Sequence, residues 1–239
     1  MTITEEQIWD VFNTKKPIAI DPKWLEEIYS LDISTKLRCT IGERLGLFGE
    51  KGWESIKFLI DKHGSQPELI NAAGLCHHPA AFDFLLRLLR TQNNHEITIV
   101  RALACWGAII PTTDIKKILK ANSIKMRLAG LNLLSFKSHL LNASELLELI
   151  KGLLEDFREE VIIQVIKILQ RRNEEEIVIC ISEIASNGTD KVVETALIAL
   201  GTIGTEQSSF ALATLCRELP NKTQREIAKK QLSHQYINP

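Results

Sequence analysis

The chain has 239 residues, of which 45% are hydrophobic and 25% are charged, a composition typical of a protein that buries a sizeable core. The formal net charge is −1 and aromatic residues make up 6%, so neither a strong positive field nor a base-stacking surface is indicated, and no nucleic-acid partner is expected. No apolar stretch approaches the roughly 18 residues that a membrane span needs, and the N-terminal residues lack the features of a secretory signal, so we expect a cytoplasmic protein without membrane contact.

The predicted elements are helices throughout, separated by short connections. Asp21-Pro22 predicts a helix start, because an Asp N-cap followed by Pro at the first helical position is favourable. Gly49 and Gly52 are expected to bracket a turn between two helices. Residues 1–32 are less regular and are predicted to form an N-terminal cap, followed by one continuous repeat array over 33–239. The predicted helix pairs of this array span 33–63, 66–89, 95–120, 123–154, 159–185 and 191–219, and a polar helix over 222–234 closes it.

A small or apolar residue followed four positions later by a large one returns in seven of these helices, at spacings of 28 to 35 residues. Stacked helix pairs need such a pattern in order to approach closely and interlock. It predicts an all-α fold, a right-handed α-solenoid of about six antiparallel helix pairs with capping helices at both ends. We call the small residues the ladder residues; they are Ile41, Ala73, Ala102, Gly130, Val165, Ala196 and Ala228. The residues four positions later are Leu45, His77, Trp106, Leu134, Leu169, Leu200 and Leu232.

The segment VVETALIALGTIGTEQSSFALATL (192–215) carries the clearest repeat motif. Its motif positions are Ala196, Ala199, Leu200, Gly201, Ile203 and Gly204. It resembles the short HEAT-like repeats of phycobilisome lyases, in which a helix ending A-x-x-A-L-G-x-I-G precedes an acidic loop and a second apolar helix. The segment IVRALACWGAI (99–109) is a looser copy. The resemblance implies the solenoid fold over roughly residues 33–235. Many unrelated binding proteins share the motif, so it does not assign a function.

Residues for catalysis or metal binding do not form a recognisable set. The HEAT-like enzyme deoxyhypusine hydroxylase, as that resemblance implies, takes metal ligands from His-Glu pairs in several repeats, whereas this chain has the single pair His95-Glu96. Cys76, His77 and Cys105 supply only part of a zinc ligand set. As neighbours on a helix, Cys76 and His77 also point about 100° apart, which does not suit a nucleophile and its base. We predict no catalytic residue, no metal and no cofactor.

The polar side chains of the ladder helices suggest a binding groove. In solenoids of paired helices, the second helix of each pair lines the concave face. Positions one before, two after and six after each ladder residue share a sector of roughly 60°, which we call the ladder stripe. The stripe mixes small apolar residues with polar and basic ones, as partner-binding grooves do, although a plain solvent-exposed face fits the same pattern. The predicted partner-binding residues are Arg101, Asn132, Phe136, Gln164, Lys167 and Arg171.

The main functional hypothesis is a non-catalytic adaptor or scaffold that binds a protein with an acidic or amphipathic surface, with Arg101, Lys167 and Arg171 pairing with carboxylates. The alternative comes from the resemblance to phycobilisome lyases and implies a bilin lyase or a chaperone-like bilin-handling protein. In that case the basic residues would hold the propionates of the bilin while a partner presents its cysteine. A DNA-repair solenoid of the alkylpurine glycosylase type would need a basic groove, which the near-neutral charge disfavours.

The densest apolar stretch of the chain is IVICISEI (177–184), within the predicted helix EEEIVICISEI (174–184). We expect it to pack between neighbouring helices. If its outer side is exposed, that side is predicted to be a partner-binding or dimerisation face.

Overall fold

A computed structural model describes residues 3–14, 20–91 and 94–237, and every regular element in these ranges is helical. The all-α fold predicted from the ladder pattern is thereby confirmed. Contacts group the chain into two compact units, Met1–Gly107 and Ala108–Pro239, and each is described by itself. The division at residue 32 and the continuity of the array from residue 33 onward stay predictions.

The first unit contains seven α-helices within the described ranges. They are α1 (Glu5–Asn13), α2 (Pro22–Ile28), α3 (Thr35–Gly46), α4 (Glu50–His63), α5 (Pro67–Leu75), α6 (Pro79–Arg90) and α7 (Glu96–Ala104). The start predicted at Asp21-Pro22 is confirmed, since the Asp21 carboxylate accepts a hydrogen bond from the Trp24 N–H at 2.8 Å and Pro22 opens α2.

The ladder helices α3, α5 and α7 pack side by side, and α4 and α6 pack against them. Ala73 and Ala102 are buried at these contacts. Next to the ladder, a Cβ added to Gly74 would lie 2.6 Å from the Ala102 carbonyl oxygen, so α5 and α7 approach more closely than a side chain at this position would permit.

The large residue expected four positions after the ladder residue is absent from the core at two places in this unit. His77 is exposed and Trp106 is half-buried, because α5 ends at Leu75 and α7 ends at Ala104, before either position is reached. A proline shortly after α5 disfavours the helical conformation of the residue before it. His77 itself takes a left-handed backbone conformation with φ of 50°.

Gly52 does not bracket a turn, contrary to the prediction. It lies in the first turn of α4, where an added Cβ would stand 1.9 Å from the Leu45 carbonyl oxygen. Glycine at this position therefore allows α4 to start directly against the end of α3. The turn itself is made by Gly49, whose φ is +62°.

The second unit contains eight α-helices within the described ranges. They are α8 (Thr112–Leu119), α9 (Ile124–Lys137), α10 (Ala143–Leu154), α11 (Glu159–Leu169), α12 (Glu175–Asn187), α13 (Asp190–Ile203), α14 (Glu206–Glu218) and α15 (Lys222–Ile237). The ladder helices α9, α11, α13 and α15 form one layer, and α8, α10, α12 and α14 form a second layer. The ladder residues of this unit are all buried, namely Gly130, Val165, Ala196 and Ala228.

In the second unit, the helix pairs have the opposite phase to the predicted one. Contacts are more extensive between α12 and α13, and between α14 and α15, than between α11 and α12. A natural pair is therefore a second-layer helix followed by a ladder helix. The ladder helix is thus the second member of each pair, which is the position assumed when the ladder stripe was taken as a binding face.

A donor side chain seven positions after the ladder residue joins successive repeats of the second unit. It donates hydrogen bonds to main-chain carbonyls at or just after the end of the preceding ladder helix. The bonds run from Lys137 Nζ to Ala108 O (3.0 Å) and Ile110 O (2.9 Å), from Arg172 Nη1 to Ser138 O (2.6 Å) and Leu141 O (2.8 Å), and from Gln235 Nε2 to Leu200 O (2.9 Å) and Gly201 O (3.2 Å). On α13 the corresponding residue is Ile203, whose side chain has no donor.

A buried carboxylate supplies a further connection. Asp156, in the loop between α10 and α11, accepts hydrogen bonds from Arg158 Nε at 2.7 Å and Nη2 at 2.8 Å, and it also pairs with Arg127. The two arginines extend to main-chain carbonyls before α9, at Ala121 (2.6 Å) and Asn122 (3.0 Å). The hydrogen bonds from Arg158 hold the pKa of Asp156 well below its usual range.

Replacing the fully buried ladder residue Ala196 with leucine tests the ladder packing. We expect Ala196→Leu to lower the free energy of unfolding by about 1–3 kcal/mol, because added methylenes overpack a closed helix contact. Chemical denaturation provides the measurement. Ile198→Leu, on the exposed side of the same helix, is the matched control and should leave stability within about 0.5 kcal/mol of wild type. Equal stability of Ala196→Leu and wild type would contradict this helix register.

Removing the buried carboxylate of Asp156 should destabilise the folded protein at neutral pH. We expect Asp156→Asn to lower the free energy of unfolding by about 3 kcal/mol, near the lower end for breaking a buried ion pair, since both arginines keep some contact with water. The pKa of Asp156 is lower in the folded than in the unfolded chain, so its contribution is complete above an ordinary Asp pKa of about 4. The difference between wild type and variant should shrink as the pH falls from about 4 toward 2. A difference that does not change over this range would contradict the assignment.

Candidate functional site

The ladder stripe of the second unit is a solvent-exposed face. On α9 its members Asn132 and Phe136 are exposed, the latter by 43%. Beyond α9, Gln164 is half-buried, and Lys167 and Arg171 are exposed. The stripe continues on α13 through Thr195, Ile198 and Thr202. Because the ladder residues beside these positions are buried, the stripe is the open side of a closely packed layer.

Three of the six predicted residues lie around one cavity of about 360 Å³. Gln164, Lys167 and Arg171 come from α11 and the residues just after it. Thr195 and Ile198 face them from α13, and Ser135 of α9 also lines the cavity. The cavity therefore draws on three successive ladder helices of the second unit.

The charge of this cavity is positive. Lys167 lies in the last turn of α11 and Arg171 just beyond it, where the helix dipole favours cations. No carboxylate lines the cavity, and in the part of the chain that the structure describes neither base makes an ion pair. The floor includes the buried Ile168 and the half-exposed Ile198. Such a site can accept a carboxylate beside an apolar group.

The other three predicted residues do not line this cavity. Asn132 and Phe136 are exposed residues of α9, and Arg101 is an exposed residue of α7 in the first unit. The stripe is also less uniform in that unit. Ala72 is fully buried, because α3 approaches there so closely that a Cβ on Gly46 would lie 2.9 Å from the Ala72 carbonyl oxygen.

Three lining residues fall outside the predicted sector, and one of them is Ile168, three positions after Val165. Ser135 and Gln170 each lie five positions after a ladder residue, Gly130 and Val165 respectively. A sector widened by this one position would have included both.

Among the described residues, no three His, Cys, Asp or Glu side chains lie close enough together to bind one metal ion. His77 packs its ring against Trp106, with 5.4 Å between the ring centroids. The Cys76 thiol is buried and donates to the Ala73 carbonyl at 3.2 Å, and burial raises its pKa, which disfavours the reactive thiolate. Burial also raises the pKa of Cys180, to about 11. All five cysteines are free thiols.

No helix in the described ranges is long and apolar enough to cross a membrane.

Comparison with known proteins identifies the architecture. The complex of CpcE and CpcF of phycocyanin lyase from a Nostoc species aligns with a TM-score of 0.50 and 14% identity, over 92% of this chain and 96% of that one. A designed armadillo repeat protein in complex with the peptide (KR)4 aligns with a TM-score of 0.47 and 16% identity, over 89% and 98%. Human deoxyhypusine hydroxylase in complex with glycerol aligns with a TM-score of 0.45 and 16% identity, over 91% and 85%.

No family model and no curated protein matches the sequence. The chain has an all-helical repeat fold, as its ladder pattern predicted, and this fold is similar to that of the phycocyanin lyase complex. At these identities the likeness concerns the fold.

Proposed function

We propose that this chain is a non-catalytic repeat protein that binds another protein through the ladder stripe of its second unit. The observation that carries this proposal is the pair of bases, Lys167 and Arg171, at a cavity without any carboxylate. A partner carboxylate would replace the water around these bases with charge-assisted hydrogen bonds, and Arg171 is able to bind it in a bidentate manner.

The shape of the surface favours a segment of protein over a small ion. A volume of about 360 Å³ is near the lower limit for ligand pockets and suits one or two side chains. Exposed apolar residues lie on the neighbouring ladder helices, Phe136 on α9 and Ile198 on α13. An acidic segment with interspersed apolar residues therefore matches both the charge and the apolar contacts of the stripe.

Reversing the two charges tests this proposal. We expect Lys167→Glu combined with Arg171→Glu to abolish capture of the partner in a pull-down from the native host, because carboxylates would then face carboxylates. The melting temperature should stay close to that of wild type, since both side chains are exposed. Mass spectrometry identifies the proteins that wild type retains and the variant loses.

Lys117→Glu combined with Lys120→Glu is the matched control, because these exposed residues of the second unit change the net charge equally and lie off the stripe. If the control loses the same partner, the effect is one of overall charge. If the stripe variant still captures it, the site lies elsewhere. Arg101→Glu alone tests whether the first unit contributes to the same interaction.

A bilin-handling role is the second candidate, supported by the fold likeness to a phycocyanin lyase complex. Lys167 and Arg171 would then hold propionates, and the tetrapyrrole would extend along the stripe because it is larger than the cavity. An adaptor should develop no new visible absorbance when mixed with phycocyanobilin. Strong absorbance that disappears in the stripe variant would favour the bilin-handling role over the adaptor.

A further inference from the structure

A second open surface lies on the other layer of the second unit, between α12 and α14. This α12–α14 groove has a volume of about 840 Å³. Its floor includes Val178, Ile179 and Phe210, and its rim carries Glu175, Glu183 and Glu206. The outer side of the densely apolar helix identified in the sequence is therefore exposed.

The two helices present matching rows of residues to the groove. On α12, Glu175, Ile179 and Glu183 are spaced four apart and share one face. On α14, Phe210 lies four positions after Glu206 on the corresponding face. Ile179 is 50% exposed and Phe210 is 72% exposed, although each belongs to a helix whose opposite side is fully packed. Two large apolar side chains are thus exposed to solvent between the three rim glutamates, which we call the acidic frame.

The acidic frame is not neutralised by the chain itself. No lysine or arginine lines the groove, and within the described ranges no ion pair involves the three rim glutamates. Glu174, directly before α12, provides the contrast, because it is paired with Arg172. Three carboxylates around an exposed apolar floor leave both charge and apolar area for a partner to complement.

We propose that the α12–α14 groove docks an amphipathic helix of a partner protein, with a large apolar residue between Ile179 and Phe210 and basic residues against the rim glutamates. Each wall of the groove is a 13-residue helix, about 20 Å long, which matches three to four turns of a docked helix. Helix-in-groove recognition uses apolar anchors of the docked helix at spacings of three and four, which lie on one face of that helix. The α12–α14 groove and its proposed basic partner are separate from the ladder stripe and its proposed acidic partner.

The full chain is titrated into a fluorescein-labelled peptide of about 16 residues, with leucines at positions i, i+3, i+4 and i+7 and lysines at the remaining positions, and anisotropy is recorded. Phe210→Ala should weaken binding at least tenfold, as removal of a central aromatic anchor does. The triple change Glu175→Gln, Glu183→Gln and Glu206→Gln should weaken it about tenfold and reduce its dependence on salt. Phe157→Ala, at a residue 89% exposed outside the groove, is the matched control and should bind as wild type.

All of these changes are at exposed positions, and thermal unfolding verifies that each variant is folded. The proposal is overturned if the lysine peptide shows no measurable binding, if Phe210→Ala binds it as well as wild type, or if a peptide with glutamates in place of the lysines binds equally. Sedimentation velocity of the protein alone tests whether a second copy of this chain occupies the groove. A dimer that Phe210→Ala dissociates would assign the groove to a second copy of this chain.

Discussion

The close approach of neighbouring ladder helices is the constraint on which the other features depend. The distance between packed helices is set by the side chains at their contact, so small residues there bring the helix axes together. Ala73, Ala196 and Ala228 are fully buried at such contacts, and Gly74 brings two backbones within reach of each other. Since the ladder residues of the second unit occupy the contact, the positions two and six residues after them are turned to the open side, and these positions belong to the ladder stripe.

In a repeat protein each repeat contacts only its neighbours, so connections between repeats must be made at every interface. The second unit does this with donors seven positions after the ladder residue, at Lys137, Arg172 and Gln235. In the described part of the layer from α9 to α15, the interface between α11 and α13 has no such donor, because Ile203 occupies the position. The cavity at Lys167 and Arg171 lies at this same interface. The interface without this donor is therefore the one that carries the cavity.

The ladder residues and several helix starts could be predicted because they depend on local spacing and local hydrogen bonds. Ala196 was placed correctly by its period, and Asp21 by the capping preference of its side chain. The pairing phase could not be predicted in this way, because every helix has a neighbour on each side in the sequence and both pairings fit the same period. The cavity itself could not be predicted, since it is enclosed by residues of three helices that are about 30 residues apart in the chain.

A formal net charge of −1 excludes a strong overall electrostatic field, but it does not determine how the charges are divided between the two helix layers of the second unit. The ladder helix α11 and the residues just after it carry the unpaired bases of the stripe, whereas the next helix, α12, carries unpaired acids of the groove. Consecutive helices of the chain therefore line two surfaces of opposite charge. Like charges placed against each other oppose binding, so an acidic segment is excluded from the α12–α14 groove and a basic helix from the stripe. In the two proposals, charge alone therefore makes each surface select a different partner, without any difference in fold.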